Sequence, residues 1–306
     1  MSIAGQTTVC IATFRRLDRL AALLDDLTRQ TTLPLEVIIV DNDASGSAHA
    51  VIEARRSSGA PFPIVYAIQP VKNISLTRNR TVELARGEWL AFLDDDERAP
   101  PDWLERIADA AARFDATGVL GPVVPAIPAD APNWIQRGHF YDWPRTFTGA
   151  TVQPNRLRFG NVLLHAATVR KEQPPFDPDY GVTGGEDGDL LTRLAQKGAR
   201  IIWCDEAQVR EPIEAARLSL PWLLKRAMRG GQDFARHSLA GRYGEPTPKR
   251  RAALMSRAIA QLGLAAAFAL ICLPLGRHRA AHWLARAFAN FGKLSVLWGW
   301  HYREYA

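Results

Sequence analysis

The chain has 306 residues, 47% hydrophobic and 23% charged, a composition that excludes a disordered protein and allows one large α/β domain with an appendage. The formal net charge of +6 conceals an asymmetry, because residues 216–306 carry 15 Lys and Arg against 3 Asp and Glu, leaving the rest of the chain net acidic. Cys10, Cys204 and Cys272 are far apart, show no metal-ligand spacing and read as reduced cytosolic thiols, and residues 1–6 lack the pattern of a secretory signal.

Residues 8–13 read as a first buried strand, and 15–30 as a helix with Leu17, Leu20, Leu24 and Leu27 at helical spacing. A second strand over 35–41 ends in Asp41, followed by the turn formers Asn42, Asp43, Ser45 and Gly46. A helix near 48–57 and a strand near 63–68 come next. The helix predicted over 73–86 has Ser75, Arg78, Asn79 and Arg80 in its first two turns and is stopped by Gly87. Trp89 to Leu93 are five apolar residues in a row, a strand buried on both faces, and it runs straight into Asp94, Asp95, Asp96 and Glu97. Four acids on one loop repel one another, and a bound divalent cation would relieve that repulsion. The plainer alternative is a solvated acidic turn ahead of the next helix. With a helix over 102–114 and a strand over 119–124, strand and helix alternate as in a parallel, doubly wound sheet, which binds ligands beyond the carboxyl ends of its strands.

Pro122, Pro125, Pro128 and Pro132 then break regular structure, so 125–157 reads as a long surface excursion. Its Trp134, Phe140, Tyr141 and Trp143 either line a sugar site or pin the loop down. A strand over 159–164 follows. Gly184 and Gly185 lead through Glu186 and Asp187 into a helix over 187–197, where acids also suit the helix N-terminus. After a short strand at 200–204 and Val209-Arg210-Glu211 comes a basic helix over 219–236, then a linker-like stretch at 241–248. Residues 258–275 are apolar except for Gln261, Gly263 and Pro274, near the lower limit for a bilayer span. Basic residues on both flanks argue for a re-entrant or in-plane segment over a simple crossing. A last helix places Leu284, Phe288, Phe291, Leu294 and Trp298 on one face and Arg286, Asn290 and Lys293 on the other, with Trp283 and Trp300 at its ends. That pattern is interfacial. A helical hairpin packed on the body or on a second subunit is the alternative.

The segments Thr13-Phe14-Arg15, Val40-Asp41-Asn42-Asp43, Asn73 to Arg80, Leu93 to Glu97, Gly160-Asn161 and Gly185-Glu186-Asp187 together resemble, in order and spacing, the family 2 glycosyltransferases. The resemblance covers about 7–215, and 209–231 is similar to bacterial exopolysaccharide (succinoglycan-type) enzymes. It implies a GT-A fold, Rossmann-like with a mostly parallel central sheet and flanking helices, over 1–240. That region would hold a nucleotide half to about 124 and an acceptor half from about 125. A linker at 241–251 and membrane-associating helices over 252–306 would follow. The implied activity is inverting transfer of a hexose from a nucleotide sugar, expected to be a UDP-sugar, to a glycan hydroxyl. The implied acceptor is polyprenyl-diphosphate-linked, met at the cytoplasmic face of a bacterial inner membrane.

By the same resemblance Thr13, Arg15, Asp41, Arg78, Asp94 and Asp95 surround the nucleotide sugar, Asp95 chiefly supporting the turn. Asp96 would hold Mg²⁺ or Mn²⁺, with Glu211 as a second ligand. Asp187 would be the general base and Glu186 an acceptor contact. Asn161, Gly185, Arg226 and Arg229 are expected on the acceptor side, the two arginines gripping the diphosphate. Two other classes compete. A sugar-phosphate nucleotidyltransferase shares the sheet and the acids, but Phe14-Arg15-Arg16 stands where its Gly-rich phosphate loop belongs. A nucleic-acid-binding protein would use the basic tail, yet the apolar run there suits lipid better, so no nucleic-acid partner is expected.

Overall fold

The computed structural model describes residues 2–303. In chain order the strands are β1 (Thr7–Thr13), β2 (Glu36–Asp41), β3 (Ile64–Ile68), β4 (Trp89–Asp94), β5 (Gly118–Leu120), β6 (Val123–Ala126), β7 (Asn161–His165), β8 (Ile201–Trp203) and β9 (Val209–Pro212). The helices are α1 (Leu17–Thr28), α2 (His49–Ser57), α3 (Ile74–Leu84), α4 (Trp103–Arg113), α5 (Asn133–Gln136), α6 (Ala166–Arg170), α7 (Glu186–Gln196), α8 (Leu220–Leu239), α9 (Pro248–Ile271) and α10 (Arg277–Ser295). By contacts the chain divides into two compact units. One holds residues 2–124 together with Trp143–Glu211; the other holds Pro125–Asp142 and residues 212–303.

In the first unit, seven strands among the described residues form a sheet in the order β3-β2-β1-β4-β7-β5-β8. All neighbours pair in parallel except β7, which runs antiparallel to β4 and β5. Alternate residues of a strand face opposite sides of a sheet, and here each side has its own core. Val9, Ile11, Val37, Ile39, Ala91 and Leu93 pack with Leu20, Leu24, Leu27, Ile52, Trp103 and Ile107 of α1, α2 and α4. Cys10, Ile38, Val40, Leu90 and Phe92 pack on the other side with Val82, Leu190, Leu191 and Leu194 of α3 and α7. Strands buried on both faces read as unbroken apolar runs, which is why β1, β2 and β4 were legible without alternation.

The chain leaves β1 in one direction towards β2 and β3, and β4 lies on the other side of β1. The carboxyl ends of β1 and β4 therefore form the topological switch point, where open α/β sheets leave a crevice. Ala12 pairs with Asp94 in register, so Thr13 and the acidic run meet there.

In the second unit the excursion is an ordered one. Ile135 and Tyr141 are buried with Ile213 and Leu223, and Trp134, Phe140 and Trp222 pack against them. Those aromatics pin the segment. The final helix departs from the amphipathic expectation. Helix α10 packs against both α8 and α9, so Asn290 and Leu294, which an amphipathic pattern sets on opposite faces, are both buried.

Cys10 and Cys204 are free and buried. Burial pushes the Cys10 thiol up to about 12 and the Cys204 thiol to about 11, so neither forms a reactive thiolate at neutral pH. Both should resist a water-soluble disulfide reagent in the native protein and react promptly in denaturant. Rapid native-state labelling of either, located by mass spectrometry, would contradict this packing.

Candidate active site

Arg78 is the centre of the site. It lies on α3, which Asn73 caps by accepting from the Leu76 backbone N–H at 3.0 Å. Only 10% of the Arg78 side chain is exposed. One of its nitrogens donates to Asp94 Oδ1 at 2.9 Å and another to Glu186 Oε1 at 2.5 Å. Its guanidinium lies over Phe159, 4.8 Å from the ring centroid, with Phe176 at 5.9 Å. Asn79, the next residue, holds the Phe176 backbone by donating to its carbonyl at 2.7 Å and accepting from its N–H at 2.9 Å. A single helix thus places the cation and clamps the aromatic floor beneath it.

The partner acids come from distant parts of the chain. Glu186 and Asp187 open α7, which is entered through Gly184 at φ 82° and Gly185 at φ 98°. That backbone region favours glycine. Glu186 is buried; Asp187 is partly open and accepts from the Gly188 N–H at 2.7 Å. Gly160, just before β7, matters as well. A Cβ there would sit 2.6 Å from Glu97 Oε1 and 3.6 Å from Asp94 Oδ2, so only glycine lets β7 start against the acidic loop.

The four acids of that loop have different fates. Asp94 opens to solvent, with 46% of its side chain exposed. Asp95 is buried, accepting from Thr13 Oγ1 at 2.8 Å and from Arg16 at 2.8 Å. Asp96 is buried too and accepts from Arg16 at 3.0 Å and Arg19 at 3.3 Å. Glu97 folds back to accept from the Asp94 backbone N–H at 3.0 Å. Desolvation by the crowded surroundings pushes the Asp94 carboxyl up; Asp96 and Asp187 add to the rise and Arg78 opposes it. Burial lifts Asp95 to about 6 against the pull of Arg16, and lifts Glu97 well above the usual carboxylate range, with Asp94 and Asp96 reinforcing it.

Other expected site residues take structural positions. Asp41 is fully buried, and its two oxygens accept from the Asp43 and Ala48 N–H groups and from Tyr66 Oη, holding the β2–α2 turn. Arg15 reaches sideways to Asp43 at 2.7 Å, and its attraction holds that carboxyl far below the usual range. Asn161 accepts from Trp103 Nε1 at 2.8 Å and donates to the Pro122 and Ala207 carbonyls at 3.1 and 2.6 Å, all buried. Glu211, on β9, is close enough to raise the Glu97 carboxyl. Gly185 is the turn into α7. Arg226 and Arg229 belong to the second unit, where Arg226 lies against Tyr141 and Trp222. Arg16 and Arg19, which no sequence motif singles out, stand three apart at the start of α1 and supply the charge that balances the acidic run.

Carboxylate oxygens suit Mg²⁺ or Mn²⁺ chemically. As the side chains stand, two guanidinium groups cover Asp96, and no three His, Cys, Asp or Glu among the described residues converge as a ligand set. In this arrangement Asp96 is held by Arg16 and Arg19, and Asp94 is the acid of the run that stays open.

Two expectations follow. Asn161→Ala strands the Trp103 indole N–H and two buried carbonyls, and should cost ~2–4 kcal/mol in chemical denaturation; a change in acceptor affinity at unchanged stability would speak for an acceptor role instead. The second concerns pH. A carboxyl raised to about 6 keeps its proton in the folded chain after the unfolded chain has released it. The stability contributed by Asp95 therefore falls as pH rises from about 4 to about 6, by up to ~3 kcal/mol. Denaturation midpoints across that window should show the slope, and Asp95→Asn should flatten it.

Comparisons with known proteins bear on the family and the fold. The profile of Glycosyl transferase family 2 matches residues 8–171. The succinoglycan biosynthesis protein ExoM of Rhizobium meliloti is 36% identical over 268 residues, 87% of this chain and 83% of that protein. The glucosyl-dolichyl phosphate glucuronosyltransferase of Haloferax volcanii is 27% identical over 72% of each chain. Among solved structures, the Pyrobaculum calidifontis mannosyltransferase PcManGT, crystallised with GDP-Man and Mn²⁺, superposes with a TM-score of 0.68 at 18% identity, covering 96% of this chain and 87% of that one. S. aureus TarS 1-349 with UDP gives a TM-score of 0.54 at 14% identity over 97% of this chain and 93% of that one, while another TarS crystal structure is matched over 55% of its chain. The structural likeness carries the GT-A fold, and the chain belongs to glycosyl transferase family 2.

Proposed function

We propose that the chain is an inverting hexosyltransferase that moves a sugar from a nucleoside-diphosphate donor, a UDP-sugar, to a hydroxyl of a lipid-linked glycan. The observation that carries this reading is the Arg78 bridge. It ties Asp94, at the switch-point mouth, to Glu186, and so brings Asp187 within electrostatic reach of Asp94. Donor and base then share one mouth. The acceptor hydroxyl oxygen attacks the anomeric carbon, the bond from that carbon to the phosphate oxygen breaks, and the diphosphate leaves with the electron pair. Asp187 takes the hydroxyl proton, with Glu186 nearby to hold the acceptor. One displacement from the face opposite the phosphate inverts the anomeric centre.

Thr13, Asp94 and Arg78 are the residues of this chain proposed to meet the nucleotide sugar. Arg78 is the cation at the mouth proposed to face the departing diphosphate. A divalent cation belongs to the proposal because PcManGT was solved in complex with GDP-Man and Mn²⁺. Asp94, and Asp96 once Arg16 and Arg19 release it, are the acids to meet such an ion. Similarity to the succinoglycan protein and to an enzyme of dolichyl phosphate chemistry supports a place in exopolysaccharide or cell-envelope synthesis. The basic, apolar tail supports work at the cytoplasmic face of a membrane.

A donor screen by nucleoside-diphosphate release, with lipid acceptors present, tests this. Asp187→Asn should lower kcat by ~10²–10⁴ while leaving the donor KM nearly unchanged. Chelation should abolish transfer and Mn²⁺ restore it. Undiminished transfer by Asp187→Asn would remove the base assignment.

A further inference from the structure

Helix α9 is packed the wrong way round for water. Its buried positions are the small residues Ala258, Ala265 and Ala269, with Cys272 just past its end, and its exposed ones include Ile259, Leu264, Phe268, Leu270 and Ile271. The exposed series continues beyond the helix. Leu270, Leu273 and Leu275 are 68%, 61% and 53% exposed, at the bend where the chain turns from α9 into α10. Soluble proteins rarely leave such a continuous apolar patch in water, whereas small-inside, large-outside packing is what helices in contact with lipid use.

The residues at the foot of this tip are basic. A cavity of about 220 Å³ in the second unit is lined by Arg137, Cys272, His278, Arg279, His282 and Trp283, with no carboxylate among its described lining residues. Burial, then Arg137 and Arg279, hold His278 below its ordinary pKa; burial and Arg286 do the same to His282. Among the described residues no carboxylate lines the cavity to compensate the positive charge of Arg137 and Arg279. Trp283 forms one wall, stacked on Phe268 at 4.8 Å between centroids.

The hairpin is also built so that α9 stays on one side of a bilayer. By length and composition α9 could cross one. Yet the chain turns back at once through Arg277 and Arg279, and α10 returns along α9 while packing against α8. The crossing of α8 and α10 is backbone to backbone: a Cβ on Gly231 would lie 1.9 Å from the Ala289 carbonyl oxygen, and one on Gly292 2.0 Å from that of Met228. Carrying the tip through the bilayer would draw arginines into hydrocarbon and pull this crossing apart.

We propose that the α9–α10 hairpin docks on an anionic lipid leaflet, its leucine tip entering the acyl region while a lipid phosphate sits in the cavity of Arg137, His278, Arg279 and His282. The charge of the tail selects this occupant over a second copy of the same basic surface. The inference rests on the membrane-facing reading of the tail given above, and on none of the catalytic assignments.

Flotation of the full chain with vesicles tests it. Binding should be strong to vesicles of phosphatidylcholine with phosphatidylglycerol and weak to phosphatidylcholine alone. The pair Leu270→Asp and Leu273→Asp should lower binding by at least ~10-fold. Arg137→Gln and Arg279→Gln should each lower binding to anionic vesicles about fivefold, and less in high salt. Water-dependent release of nucleoside diphosphate from the donor should be unaffected in all three variants, the leucine pair and the two single arginine changes, which separates failure of this proposal from failure of the catalytic reading and shows that the variants fold. Equal binding to both vesicle types would overturn the phosphate site, and full binding after loss of both leucines would overturn the tip. A dimer that Leu270→Asp dissociates, without any vesicle binding, would assign the surface to a second copy instead and overturn the proposal.

Discussion

A buried arginine between two carboxylates is the interaction on which the first unit depends. Arg78 gives up most of its water, and an unpaired guanidinium in that position would be severely destabilising. The fold therefore has to deliver Asp94 and Glu186 to the same point from opposite ends of the unit. The requirement propagates outward. Asp94 must end β4, α7 must begin at Glu186, and the two preceding glycines must turn the chain into that helix. Phe159 and Phe176 lie against the guanidinium and keep it flat, while Asn79 keeps Phe176 where it is needed. A structural ion pair and a constraint on functional geometry are here the same contact.

Charge at the switch point is arranged in two layers. In the inner layer, Asp95 and Asp96 are buried beneath Arg16 and Arg19, which neutralise them. In the outer layer Asp94 stays open, held by one side of Arg78, and Asp187 lies near enough to raise it. Acids crowded at a strand end would drive one another apart. The arginines of α1 prevent this, and they leave one carboxylate of the run facing the mouth. Arg15 plays no part in that balance, because its left-handed backbone at φ 55° turns it towards Asp43 on the neighbouring loop.

The second unit follows another logic. Its helices meet through glycine and alanine, which brings their backbones close and sends the large apolar side chains outward along α9. Such packing gains little hydrophobic stabilisation in water, where burial of large side chains dominates. It is economical when lipid covers the outer face, because contact between helices then depends on close van der Waals fit.

Much of this was legible from residue order. Runs such as Val37 to Val40 and Trp89 to Leu93 announce strands buried on both sides, since no polar residue interrupts them, and the helical repeat of Leu20, Leu24 and Leu27 announces the cover of one face. The acids at the end of β4, the glycine pair before Glu186 and the basic, apolar tail are features of adjacent residues, so the sequence by itself determined the sheet, the family and the candidate mouth. Partners distant in the chain were decided only by tertiary structure. Asp94 rather than Asp96 faces the opening, because Arg16 and Arg19 lie over the latter. Asn161 braces Trp103, and Asp41 braces a turn, because their neighbours in space are donors that need them. The outward leucines of α9 look like any apolar helix until α10 is seen to cover its alanines. A one-dimensional pattern records which residues are apolar or charged; which face meets protein, solvent or lipid depends on what the rest of the chain places opposite it.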